Sequence, residues 1–362
     1  MHWTVAASFI HDPIADGDWL LPYIPGDRHR FTVVPHSEPL ANWHNQSSHV
    51  TDYQRWIRYL NQGKAAVKQT QGGVITVFPQ LASTVGLYQR LYRKPTPIVA
   101  WLFNVGKCYP GIRRQVARLT LKNVTKFVVH TRRECEIYSE WLDLPKERFK
   151  FIPYQSAELP ILYEENTTAP FIASIGSAHR DFVTLLSVIN KLKLPTVIAS
   201  GKRSLAGLEI PSIVQTPFGI GRQNCFQLAQ EARINVIPMR SDPLITAAGQ
   251  VTIVELMRMG RALIASRCNG AEDYIIHGET GLLVEPHSER DLTQAIEMLW
   301  NDPALRNRLG QAAKQYAAIH FSDEASGAAL GSLLDEIADS HATSWLTDWC
   351  DQAKPVFSQR KS

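Results

Sequence analysis

The chain has 362 residues, 44% hydrophobic and 20% charged, with a formal net charge of +4; this exceeds what one hydrophobic core supports and predicts two domains of roughly 150 residues with a cleft between them. No apolar run reaches the ~18 residues that cross a bilayer, and Cys108, Cys135, Cys225, Cys268 and Cys350 are scattered without a CxxC pair, which argues against a disulfide framework or a zinc site and fits a reducing cytoplasm. The charge is segregated, because residues 1–133 sum to +11 and 134–362 to −7, and fifteen Lys and Arg stand between Asp52 and Glu134 without one acid.

In chain order, "WTVAASFI" lacks a basic region before it and reads as the first buried strand, not a signal peptide. There follow the strand "FTVVP", a helix over "YQRWIRYLNQGKAAVKQ", the strand "GVITVFP", another helix, the strand "PIVAWLF", the helix "IRRQVARLTLK" and the strand "KFVVHT". Such alternation is the pattern of βαβ units around a parallel sheet. The polar, Pro-containing "QSAELPILYEENTTAP" predicts an interdomain linker, after which the alternation restarts with "FIASIG", "FVTLLSVINKL", "PTVIASG", "SIVQT", "NCFQLAQEA", "INVIPM", "GLLVEP" and "SERDLTQAIEMLW". The expected organisation is an N-terminal domain over 1–155, a linker over 156–170, a second domain over 171–325 and a helical tail over 326–362. In that tail one helix precedes "SWLTDWCDQAKPVF", whose tryptophans suggest docking on folded protein.

The stretch "GQVTIVELMRMGRALIAS", residues 249–266, holds a single carboxylate, Glu255, among apolar residues. Thr252-x-x-Glu255 matches a capping box. Alternatively, a helix starting between Gly249 and Thr252 turns its open amides and positive dipole end outward and can take a diphosphate without a metal.

The surrounding motifs resemble the donor-binding core of the retaining GT-B glycosyltransferases of group 1, the family of sucrose-phosphate synthases and many polysaccharide and glycolipid transferases. The parts that carry the resemblance are "AAGQ", Glu255, "LMRMG", "ALIAS", "NGAED" and "HGETGLLVEP", preceded by "FQLAQEARINVIPM". The resemblance implies a GT-B α/β fold, two doubly wound Rossmann-like domains facing each other across a cleft, and a nucleoside-diphosphate sugar as donor with no further cofactor and no metal. It implies that Glu255 accepts hydrogen bonds from the ribose hydroxyls, while Ala248, Gly249, Gln250, Val251 and Thr252 approach the sugar and diphosphate. The sequence departs from the family at Ala247, where a glutamate normally contacts the transferred sugar; Asp242 is the nearby acid that could replace it, and otherwise the backbone and Gln250 suffice.

By the same resemblance Arg180, in "SIGSAHRDF", holds the donor phosphates, with Lys202 or Arg203 as second choices; a solvated arginine pairing with Asp181 is the alternative. Phe218 in "QTPFGIG" stands where the base stacks, although simple packing also explains it. Asn104 stands where relatives place a sugar-contacting histidine, against a loop-capping role. Arg180, Asn104 and Gln250 are thus the catalytic candidates. His130, followed by Thr131 and Arg132, reads as a satisfied core histidine. Asp16-Gly17-Asp18 imitates a metal-binding DxD but has no supporting ligands at metal spacing, so this loop, with His11, Asp12 and Asp18, is assigned to the acceptor side, surface turn chemistry being its default.

The basic first half, with aromatics among its cations, points to an anionic acceptor: a glycolipid, a lipid-linked saccharide or a polysaccharide. It also fits peripheral attachment at the inner face of a membrane, with nucleic acid the weaker competitor because no reading module is present. The expected activity is hexosyl transfer; a nucleotide-sugar 2-epimerase and a non-catalytic sugar-nucleotide binding protein are the alternatives.

Overall fold

The computed structural model describes residues 1–12, 19–36 and 53–352, with side chains as far as residue 340. Two six-stranded parallel sheets organise it. The first half runs β1 (His2–Ala6), β2 (Arg30–Val34), α1 (Tyr53–Gln69), β3 (Gly73–Val77), α2 (Pro79–Tyr92), β4 (Ile98–Trp101), α3 (Ile112–Leu121), β5 (Lys126–Val129), α4 (Arg132–Leu142) and β6 (Phe149–Phe151). Residues 152–171 carry no regular element. The second half runs β7 (Ile172–Ile175), α5 (Phe182–Leu192), β8 (Thr196–Ala199), α6 (Lys202–Leu205), β9 (Val214–Gln215), α7 (Arg222–Glu231), β10 (Ile234–Ile237), α8 (Gln250–Arg258), β11 (Leu263–Ser266), β12 (Leu282–Val284), α9 (Glu289–Asn301), α10 (Pro303–His320) and α11 (Asp323–Gln352).

The strand orders are β2-β1-β3-β4-β5-β6 and β12-β11-β10-β7-β8-β9. Each doubles back once, between β1 and β3 and between β7 and β10, and in such sheets the crevice beyond the strand ends at that point is where ligands bind. This is the two-domain Rossmann-like GT-B architecture.

Strands buried on both faces explain the near-continuous apolar runs. In the first sheet the alternation of side chains divides them cleanly: Val74, Ile98, Ala100, Phe127 and Val129 pack toward α1–α4, whereas Trp3, Val5, Ile75, Val99, Trp101 and Val128 face the other way. That second face is closed by α11, through Leu330, Leu333, Leu334 and Ile337. Arg28 bonds Asp335 (2.8 Å) and Asp339, and Lys126 bonds Glu336 (2.7 Å), at the edges of this contact. The last helix therefore belongs to the first domain's core. The two segments that cross between domains meet where Ser156 N–H donates to Phe321 O (2.9 Å).

Some features differ from the sequence expectation. Helices α4, α6 and α10 and strand β6 lie in stretches where no such element was expected; α4 opens with a capping box, Thr131 with Glu134, and α10 with Pro303 behind the cap Asp302, both of which are start signals. The expected break before "SWLTDWC" is absent, since α11 continues to Gln352.

The apolar seam under α11 sets a measurable cost. Leu334 is fully buried, so Leu334→Ala should lower the unfolding free energy by about 2–5 kcal/mol in urea titrations.

Candidate functional site

The loops after β7 and β10 meet at the switch point of the second sheet. Asp181 N–H donates to Pro238 O (2.9 Å) and Arg240 N–H to His179 O (2.9 Å), which clamps residues 176–181 against 238–240. Arg180 is carried into this junction and is only 3% exposed. Its guanidinium donates to Ile175 O (3.0 Å), Ala178 O (3.1 Å), Met239 Sδ (2.8 Å) and Thr252 Oγ1 (3.1 Å). All four acceptors are neutral. No carboxylate pairs with it among the described residues, and burial pushes its pKa down to about 10. Burying a cation without a counter-charge is costly, and an arriving anion removes that cost.

Helix α8 opens beside this cation. Its cap is Gly249 at φ +97°, with no side chain capping the first turn. A Cβ there would lie 3.4 Å from Met239 Sδ and 3.8 Å from Arg180 Nη1, ordinary contact distances, so it is the left-handed turn that calls for glycine. The amides of Gln250, Val251 and Thr252 precede the first intrahelical bond, Ile253 N–H to Gly249 O (3.0 Å), and present the positive end of the helix to the cleft. Thr252 and Glu255 are both inside the helix, so the capping-box reading of this pair is incorrect: the helix starts three residues earlier than such a box requires, and the Thr252 hydroxyl accepts from Arg180 instead.

Glu255 lies further along α8, its side chain 16% exposed, and accepts from Arg222 Nη2 at 2.7 Å. With Tyr154, Gln155, Arg222, Phe226 and Asp323 it lines a cavity of about 380 Å³ between the linker and helices α7 and α8. Arg222 stacks its guanidinium over Phe226 (5.0 Å). Because Arg222 is 54% exposed, the pair is worth at most about 1 kcal/mol, and hydroxyl donors of a ligand can share or displace it.

The domains touch on either side of this site. Thr246 N–H donates to Gly106 O (3.2 Å), Tyr274 Oη to His130 O (2.6 Å), and Arg132 N–H to Asp273 Oδ2 (2.8 Å). A Cβ on Gly270, at φ +87°, would fall 2.1 Å from Thr131 Cγ2, so the approach of the two lobes depends on its absence. Behind this contact Glu134 is buried and accepts from His130 N–H (3.1 Å), Thr131 N–H (3.1 Å) and Tyr138 Oη (2.9 Å). Tyr138 Oη also sits 2.8 Å from Thr246 Oγ1, which joins the buried acid to the loop that leads into α8.

Residues 202–316 match the family model described as "Glycosyl transferases group 1". The alpha-D-kanosaminyltransferase of Streptomyces kanamyceticus is 35% identical over 95 residues, 26% of this chain and 23% of that protein. The D-inositol 3-phosphate glycosyltransferase of Pseudarthrobacter chlorophenolicus is 37% identical over 71 residues, 20% and 17% of the two chains. The matched stretches thus span less than a quarter of those relatives. Sucrose-phosphate synthase from Thermosynechococcus elongatus superposes with a TM-score of 0.69 at 17% identity, covering 94% of this chain and 100% of that one. Anabaena HepE, solved in complex with UDP-glucose, superposes with a TM-score of 0.63 at 13% identity, covering 93% and 99%. The chain has the GT-B fold, and the part of its second half over residues 202–316 is similar to the group 1 glycosyltransferases.

In the second half of the chain the structure brings Arg180, Thr252 and the 248–252 loop together, and sets Glu255 on the same helix. Lys202 and Phe218 also meet, Nζ lying 5.7 Å from the ring centre. Both are exposed, as is Arg203. Gln250 is buried and its amide donates to Asn269 O (2.6 Å). Asn104 caps its own loop, Oδ1 accepting Gly106 N–H (2.7 Å), 3.4 Å from Thr246 Oγ1. Ala247 is buried, and one oxygen of Asp242 accepts Leu244 N–H (2.8 Å), a turn contact. His11 and Asp12 are exposed in the loop after β1, with His11 Nδ1 3.1 Å from His36 O. Asp16, Gly17 and Asp18 lie outside the described residues. Arg180 does not pair with Asp181, whose carboxylate holds Thr184 and lies 2.7 Å from His287 Nδ1. Sequence reasoning missed Arg222 and Tyr154; the first follows the glycines of "PFGIG" at a helix start, which is a readable anion-facing position, whereas nothing local marks the second.

Two buried groups at the domain contact give opposing pH dependences. Burial pushes Glu134 up to about 7 from 4.5, against the pull of the hydrogen bonds it accepts, and pushes His130 down to about 4 from 6.5. From pH 4.5 to about 7 the folded chain keeps a proton on Glu134 that the unfolded chain has lost, so this group makes stability fall as pH rises. From about pH 4 to 6.5 the unfolded chain holds a proton on His130 that the folded chain lacks, so that group makes stability rise. Glu134→Gln removes the first slope, and its urea midpoint should climb with pH between about 4 and 6.5 where the parent protein is flatter.

Proposed function

We propose that the chain is a glycosyltransferase that moves a hexosyl group from a nucleoside-diphosphate sugar to an anionic acceptor, a glycolipid, lipid-linked saccharide or polysaccharide, bound by the first domain. The observation that carries this reading is the buried, uncompensated Arg180 beneath the open end of α8. A diphosphate supplies the missing negative charge and takes the free amides of residues 250–252. Glu255 then takes the ribose hydroxyls, with the nucleoside in the cavity beside Tyr154 and Phe226. That HepE was solved with UDP-glucose supports a sugar nucleotide of this type.

Transfer requires stabilising the charge that grows on the departing nucleotide. Arg180 and the helix end are already oriented for it, so little reorganisation accompanies bond cleavage. Lys202 and Arg203, exposed beyond β8, add positive potential on the same side. With Ala247 at the position of the family's first glutamate and Asp242 held in a turn, no protein nucleophile is assigned. The acceptor hydroxyl attacks on the face the nucleotide leaves, a donor phosphate oxygen takes its proton, and configuration is retained. Asn104, whose amide nitrogen has no partner among the described residues, reaches the sugar from the opposite lobe, and His11 and Asp12 flank the acceptor.

Glu255→Ala should weaken binding of the preferred nucleotide by about 10- to 100-fold, the loss expected for hydrogen bonds to a charged acceptor. Calorimetry with UDP, GDP and ADP reads this. Unchanged affinity would remove Glu255 from the donor site. Pyrophosphate alone should raise the melting temperature of the parent protein, and failure to do so would sink the assignment of Arg180 and α8. Donor consumption with no acceptor present would point to an epimerase instead.

A further inference from the structure

Helix α3 packs between α2 and α4 on one face of the first sheet, and two of its own faces are accounted for. Thr120 and Leu121 are buried against the sheet and α2, where Thr120 Oγ1 lies 2.8 Å from Ser83 Oγ. Arg114 and Arg118 reach across to α4, both donating from Nε to Trp141 O (2.8 and 3.1 Å), and Arg118 lies 3.8 Å from Asp143. The remaining face carries Ile112, Val116 and Leu119, which are 77%, 52% and 50% exposed. Their spacing of four and three residues aligns them as one apolar stripe on the helix surface.

Cations and an aromatic ring flank this stripe. Tyr109 is exposed just ahead of the helix, with the Arg113 guanidinium 4.6 Å and Lys107 Nζ 5.7 Å from its ring centre, and Lys122 follows the last turn. No carboxylate pairs with Lys107, Arg113 or Lys122 among the described residues, and residues 53–133 contain no acid at all. An apolar stripe bordered by unpaired cations and an interfacial tyrosine is the composition of a helix that lies in the headgroup region of an anionic bilayer. An acidic protein surface would use the charges but leave three aliphatic side chains unmatched, and no helix among the described residues is long and apolar enough to cross a membrane.

We propose that the outer face of α3, centred on Ile112, Val116 and Leu119, is a docking surface for an anionic lipid bilayer. The helix follows β4, so Ile112 lies at its cleft end, beside the 104–107 loop that touches residues 245–246 of the second domain. Docking there sets the mouth of the cleft next to the bilayer surface. The inference stands on α3 alone and does not require the donor assignment.

The test is co-sedimentation of the full chain with vesicles of phosphatidylcholine alone and of phosphatidylcholine with phosphatidylglycerol, at low and high salt. Binding should favour the anionic vesicles and weaken with salt. The double substitution Ile112→Asp, Val116→Asp should lower partitioning by at least about tenfold, and Arg113→Gln with Lys122→Gln should reduce both binding and its salt dependence. As the altered side chains are exposed, melting temperatures should stay within a few degrees of the parent; Leu119→Asp is a second, single variant that reads the same face if the double one unfolds. Equal binding by the aspartate variants, or no binding to either vesicle, would overturn the proposal. So would a dimer, seen by light scattering, that the same substitutions dissociate, which would assign the stripe to a second copy of the chain.

Discussion

A single buried guanidinium organises the end of the second domain where its strand order reverses. Arg180 holds together the ends of β7 and β10 and the first turn of α8 by hydrogen bonds to neutral atoms, which position the charge without cancelling it. A carboxylate in the same place would cancel it. The glycine at 249 follows from this geometry, since the chain must turn left-handed within reach of the guanidinium before the helix begins. Stability has been left incomplete where a negatively charged ligand can complete it.

The two lobes communicate with that end through their own polar contacts. Glu134 gathers donors from the end of β5 and from Tyr138, and Tyr138 passes the connection to Thr246, five residues before Val251 on the loop entering α8. A buried acid with its bonding so fully used is rigid. Tyr138 to Thr246 is the contact of this group that crosses between the lobes, so a rearrangement of the lobes breaks that bond and leaves those of Glu134, all within the first domain, intact.

Much of this was legible in the sequence because the signals are local. The alternation of apolar strands and amphipathic helices gave both sheets, and the small residues before "VTIVELMRMG" marked the open helix end, although the true cap is Gly249 and not Thr252. What escaped is long-range. Arg180 can be recognised as basic, but that its charge lacks a partner depends on which carbonyls and which methionine surround it after residues 59 and 72 positions away fold beside it. Tyr154 and Asp323 border the Glu255 cavity only because the linker and the start of the last helix pass the same point. For Asn104 and Gln250 the chain brings both to the domain contact, yet each side chain also holds a neighbouring loop, a double duty that no spacing rule displays.

The return of α11 to the first domain means that the lobes are joined by two crossings, one after β6 and one after α10, bonded to each other through Ser156 and Phe321. A body tethered at one point can swing and twist freely, whereas one tethered at two adjacent points keeps chiefly the rotation about the line through them. The cleft should open like a door on a fixed pin, so that every cycle returns the same residues of the 104–107 loop to the same residues of the opposite lobe.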